Sequence, residues 1–148
     1  MNRIQVEVII NSNLEKVWKY WNEPELIKLW AFASDDWECP YADNNLVIGG
    51  KFTTRMSAKD KSFSFDFSGT YTDVKVHQKI SYIMSDDIND ASARRCEVDF
   101  QDIGEGRVKV IETFDPETEN SEEMQKNGWQ SILNNFKTIK RTKNIPIV

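Results

Sequence analysis

Two side chains stand out as able to do chemistry: a carboxylate, Glu112, and a phenol, Tyr82, each set among apolar residues at alternate positions. In residues 107–114, RVKVIETF, Val108, Val110 and Phe114 share the parity of Glu112. A regular strand therefore turns that carboxylate inward. A buried carboxylate must be paired or carry a raised pKa, and either state suits a ligand handle or a general base. The alternative places it at a rim, bonded to Arg55, Arg95 or water. Tyr82 shares its face with Ile80 and Met84 in residues 79–85 and is the second acid–base candidate. Asp66 falls on a polar face by parity, and Asp73 sits where a bulge would reverse the count.

Metal and nucleophile chemistry find little support. The single histidine, His77, lies in the polar turn KVHQK, an exposed setting that does not provide a His-based zinc site or a Ser-His-Asp relay. Cys39 and Cys96 belong to no CxxC or Cys/His cluster and read as isolated thiols in or near the core. No metal and no cofactor are expected.

The elements that position Glu112 and Tyr82 follow from periodicity. Residues 3–10 alternate, with Ile4, Val6, Val8 and Ile10 on one face. Ser12 and Glu15 form an S-x-x-E capping box ahead of Leu14, Val17, Trp18 and Trp21 at helical spacing. Asn22 and Glu25, with Pro24, suggest a second short helix carrying Leu26, Ile27, Leu29 and Trp30. Residues 31–50, rich in turn formers, read as loop with at most a short strand. Strands are expected over 51–57, 63–72, 79–85, 94–101 and 107–114. Short turns between them favour antiparallel pairing. In the second of these strands Phe63, Phe65, Phe67 and Tyr71 share one face.

Residues 120–141 form a long helix whose stripe, Trp129, Ile132, Leu133, Phe136 and Ile139, begins one turn earlier at Met124 or Gln125. Such a helix needs a sheet to cover. Between the two lies the expected binding region, with Trp30, Phe52, Met56, Phe65, Phe67, Tyr82, Glu112, Trp129, Leu133 and Phe136 as its contact residues. An ordinary core has the same composition, so the set carries more weight than any member. An empty void of ~300 Å³ would cost about 7 kcal/mol, so side chains, water or a ligand must fill the space. Gly128 interrupts the helix at a cost of ~1 kcal/mol. The plainer reading is close approach of a strand; the other is room for a ligand or a bend.

A chain of 148 residues with 39% hydrophobic content fits one domain spanning 1–148, with 144–148 as a loose tail. A net charge of -5 offers no footprint for nucleic acid or anionic lipid. No signal peptide and no membrane span are read, so a cytoplasmic location is expected.

Three stretches carry a resemblance: VWKYWNEPELIKLW (17–30), VIGGKF (47–52) and, most specifically, FDPETENSEEMQKNGWQSILNNFK (114–137). Over nearly its whole length the chain resembles activator-of-heat-shock-ATPase homologues of the START-like, or SRPBCC, superfamily. Ala31 departs from the pattern, since many relatives carry an aromatic after the tryptophan matching Trp30. The resemblance implies an α+β helix-grip fold, START-like and birch-pollen-allergen-like: a curved antiparallel sheet around a long C-terminal helix, with two short helices. It implies an apolar cavity that binds a hydrophobic small molecule. The alternatives are a metal-independent cyclase or dehydratase on the same fold, using Glu112 and Tyr82, and an interaction module that stimulates a chaperone ATPase. A homodimer is left open.

Overall fold

Strict alternation builds the first strand. In the computed structural model, which describes residues 3–139, Ile4–Ile10 (β1) buries Ile4, Val6, Val8 and Ile10 and exposes the residues between them. Leu14–Asn22 (α1) and Pro24–Ile27 (α2) are the two expected short helices, but their caps differ from those predicted. Asn13, not Ser12, caps α1, its Oδ1 accepting from the Lys16 backbone N–H at 2.8 Å. Asparagine caps as well as serine, so the start shifts by one residue without loss. Asn22 does not cap α2. It is buried, its Nδ2 donates to the Trp18 carbonyl at 2.9 Å, and Pro24 opens α2 where a missing N–H costs nothing.

The largest departure lies in residues 31–50, where Trp37–Asn44 (β2) is a full strand. Pro40 disguises it. The proline sits within a register shift between Glu38 and Tyr41, on a strand at the sheet edge, and both settings tolerate a residue without an N–H. The strands Lys51–Ala58 (β3), Ser64–Lys75 (β4), Lys79–Ile83 (β5), Arg95–Gly104 (β6) and Arg107–Phe114 (β7) follow. Together they form one antiparallel sheet in the order β1-β7-β6-β5-β4-β3-β2. A bulge between Tyr71 and Asp73 reverses the parity of β4, so Val74 pairs with Ile80 and packs on the core.

Glu122–Thr138 (α3) starts at the cap Ser121, whose side chain accepts from the Met124 N–H. Residues 140 and 141 of the predicted helix, and the expected tail, lie outside the described residues. The stripe begins at Gln125 rather than Met124, which is largely exposed. Gln125 is buried because its amide is fully used: Oε1 accepts from the Glu117 N–H at 2.8 Å, and Nε2 donates to the Glu117 and Asn120 carbonyls. Farther along α3, Gln130 donates to the Glu7 carbonyl at 3.0 Å and Asn135 to the Trp30 carbonyl at 2.9 Å. These bonds tie the helix to β1 on one side and to the α2 end on the other.

Helix α3 packs on β1, with few contacts to the β3–β4 hairpin. Phe63 and Phe65 are accordingly 58% and 43% exposed, so of the aromatic face predicted for that strand Phe67 and Tyr71 turn into the interior and Phe65 reaches only its edge. Beneath α1, Trp18 meets Phe100 edge-on at 5.0 Å, and the His77 ring contacts Trp18 at 5.8 Å. His77 is thus half-buried rather than exposed. Cys39 and Cys96 are free and buried. Among the described residues no helix is long and apolar enough to cross a membrane.

Candidate functional site

Sheet, short helices and α3 enclose a cavity of about 490 Å³. Its floor rises from alternate positions of β3 to β7: Phe52, Thr54 and Met56, then Phe65, Phe67 and Tyr71, then Ile80, Tyr82, Val98 and Glu112. Trp21, Asn22, Ile27 and Trp30 close one end, and Gly128, Trp129 and Ile132 form the roof. The exposed lining residues Ala33, Asp43, Phe65 and Gly128 mark where the cavity meets solvent.

Local packing aims these side chains. A Cβ at Gly69 would lie 2.7 Å from the Phe52 ring and 2.6 Å from the Ile83 carbonyl oxygen. Glycine there lets Phe52 lie across β4 and meet Tyr82 edge-on at 4.8 Å. Trp129 stacks on Phe114 at 3.8 Å between centroids and presents its ring to Phe67 at 5.9 Å. That indole is the main bridge from helix to sheet above the cavity.

Of the expected contact residues, Trp30, Phe52, Met56, Phe65, Phe67, Tyr82, Glu112 and Trp129 line the cavity. Leu133 and Phe136 do not. Both are fully buried, and Phe136 packs on Trp21 and Trp30 at 5.0 and 4.8 Å. The cavity follows the flank of α3 carrying Gly128 and Ile132, whereas Leu133 sits on the other flank and Phe136 reaches space the tryptophans already fill. At Gly128 an added Cβ would meet nothing within 4 Å, so close approach of a strand is not why glycine stands there.

Glu112 is 7% exposed and lies between Val6 of β1 and Val98 of β6. Its carboxyl has no hydrogen-bond or ion-pair partner among the described residues, and burial alone pushes its pKa up to about 8. The arginines considered as rim partners are engaged elsewhere: Arg55 with Asp66 at 2.8 Å and Arg95 with Asp115 at 2.9 Å. Glu112 therefore carries its proton at neutral pH. Burial holds the Tyr82 pKa well above the ordinary phenol value, and the nearby Cys96 and Glu112 push it the same way, so it stays neutral too. Tyr71 donates to Asn44 Oδ1 at 2.5 Å, and Asn44 Nδ2 donates to the Asn22 carbonyl at 2.8 Å. The Oδ1 of Asn22 has no hydrogen-bond partner among the described residues. The interior is apolar, with a protonated carboxyl free to donate. Among the described residues no three His, Cys, Asp or Glu side chains gather as a metal site.

Sequence reasoning missed Trp37 and Asn44, which reach the cavity from β2, and Asn22 and Tyr71, which brace it. The β2 register shift reverses parity, so Cys39 and Ala42 are both buried and no alternating signal survives. At the rim, Trp37, Phe63 and Phe65 form a partly exposed aromatic cluster with centroids 6.0 to 6.2 Å apart.

Residues 11–140 match the family described as Activator of Hsp90 ATPase homolog 1-like protein. The solution structure of an AHSA1-like protein from Aeromonas hydrophila is 40% identical, with a TM-score of 0.81 over 92% of this chain and 90% of that one. A Cytophaga hutchinsonii protein, also solved in solution, is 46% identical, with a TM-score of 0.76 over 93% and 91%. A crystal structure from Chromobacterium violaceum, 15% identical, shares the fold at a TM-score of 0.80 over 97% and 100%. No curated protein matches the chain. The curled seven-stranded sheet gripping a C-terminal helix is the α+β helix-grip fold of the START-like superfamily. The sequence match over most of the chain and the two close structural relatives agree, and the protein belongs to the Activator of Hsp90 ATPase homolog 1-like family.

Proposed function

We propose that this protein binds a hydrophobic small molecule in the cavity between the sheet and α3. One observation carries the reading: an aromatic and aliphatic cavity of about 490 Å³ in a domain of this size. At ~24 cal/mol per Å³, a dry void that large would cost about 12 kcal/mol, comparable to the whole stability of a domain. Contact with solvent lowers that cost but leaves apolar walls wet, and a fitting apolar ligand relieves both penalties. The test uses N-phenyl-1-naphthylamine, a neutral probe whose fluorescence rises in apolar surroundings. Saturable binding is expected, abolished by the cavity-filling substitution Ile132→Trp in a variant that keeps its far-UV circular dichroism. Unsaturable binding, or binding unchanged in that variant, defeats the reading.

A second reading, contact with a chaperone of the kind the family name implies, draws on the exposed rings of Phe63 and Phe65 packed against the half-buried Trp37. It predicts that Phe63→Ser abolishes stimulation of a chaperone ATPase while leaving probe binding intact. A chaperone ATPase rate that the wild-type protein does not change would remove it.

A further inference from the structure

We infer that Glu112 makes the cavity selective for neutral ligands that present a carbonyl or similar hydrogen-bond acceptor to it, and that the cavity excludes carboxylates such as free fatty acids. This rests on the ligand-binding reading and goes beyond it by naming the polar group of the ligand. The geometry is a single unpartnered carboxyl, more than nine-tenths buried, on the wall of an apolar cavity. Its strand neighbours Val6 and Val98 offer neither donor nor acceptor, and α3 presents the indole of Trp129 above the same space. The titratable groups facing it are Tyr82 and Cys96, both held neutral by burial, and the Cys96 thiol is turned to the Glu97 carbonyl.

Three ligand chemistries could meet such a carboxyl. A carboxylate would lie near Glu112 with no cation to receive it, because no lysine, arginine or histidine among the described residues lines the cavity. It would enter unpaired, which is the costliest arrangement. An ammonium could pair with ionised Glu112, but its remaining N–H groups would face valine and indole and lose their water. A carbonyl asks for neither ionisation nor desolvation of a charge. The protonated carboxyl donates its O–H, and an interior donor that the fold leaves idle gains an acceptor. The raised pKa of about 8, caused by burial, fits a group stored in this donating form.

The test compares probes of one skeleton on the full chain at pH 7, by quenching of tryptophan fluorescence: 2-acetylnaphthalene, 2-ethylnaphthalene, 2-naphthoate and naphthylmethylamine. The ketone should bind roughly three- to tenfold more tightly than the ethyl compound, the span of one net hydrogen bond. The naphthoate should bind more weakly than the ethyl compound. Glu112→Leu should erase the ketone's advantage, and Glu112→Gln, which keeps an N–H donor, should retain it. Equal affinity for ketone and ethyl probes, tightest binding of the amine or naphthoate, or an unchanged order in Glu112→Leu overturns the inference while leaving apolar binding intact. Failure of every probe, the ethyl compound included, overturns the binding reading and this inference together.

Discussion

Replacing Glu112 by glutamine should make the protein more stable, and the gain should depend on pH. In the folded chain burial raises the carboxyl from its ordinary 4.5 to about 8, so the native state holds this proton more tightly than the unfolded state does. The sign follows from linkage. The stability associated with a raised carboxyl pKa is fully present below about pH 4.5 and is lost as pH rises through about 8. At ~1.36 kcal/mol per pKa unit, the loss approaches about 5 kcal/mol on the alkaline side. Water entering through the mouth would soften it, so about 3 kcal/mol is a fair lower expectation. Glutamine is nearly isosteric and does not ionise. Wild type and Glu112→Gln should melt within a few degrees of each other at pH 5. At pH 9 the variant should melt higher by about 6 to 20 °C, since 1 kcal/mol corresponds to roughly 2–4 °C in a domain this large. Melting curves by circular dichroism from pH 5 to pH 9, read as the difference between the two proteins, isolate Glu112 from every other titrating group. Parallel profiles would refute an unpaired buried carboxyl. A variant less stable at every pH would mean that Glu112 is ion-paired.

Other substitutions probe the frame around the cavity. Gly128→Ala should stabilise the fold by about 1 kcal/mol, because alanine is the better helix former and its Cβ meets open space; a lower urea midpoint would contradict this. Gly69→Ala should cost about 1–3 kcal/mol, since the new methyl must displace the Phe52 ring and the backbone carbonyl of Ile83; a neutral result would mean β4 yields freely. Leu133→Ala should cost about 2–5 kcal/mol while leaving the order of probe affinities unchanged, because Leu133 belongs to the core and not to the cavity wall. A reordering of probes in that variant would place Leu133 at the site after all.

Much of the site was legible because it lies on regular strands. The parity of Val108, Val110, Glu112 and Phe114 in β7 holds without interruption, and it alone predicts an inward carboxylate. The bulge at Asp73 could likewise be anticipated from a break in alternation. Features that depend on where one element stops covering another were not legible. Phe63 and Phe65 alternate like core residues, yet α3 lies over β1 and leaves the end of their hairpin uncovered. Leu133 and Phe136 share a stripe with Trp129, and only the tilt of the helix over the sheet decides which flank borders open space. Strand β2 was hidden by chemistry of its own, a proline at a register shift that removes both the donor pattern and the parity signal. Glu112 was readable as buried, but its lack of a partner was not, because it depends on which side chains the neighbouring strands set beside it, Val6 and Val98, while Arg55 and Arg95 lie exposed on the other face and pair with Asp66 and Asp115.

The most direct test of the central claim is native mass spectrometry of the protein isolated without denaturation from its own host. The binding reading predicts a population carrying one neutral organic molecule, released by organic solvent and lost in Ile132→Trp. A single apo mass from the native preparation, in a protein that also fails to take up N-phenyl-1-naphthylamine, would contradict it.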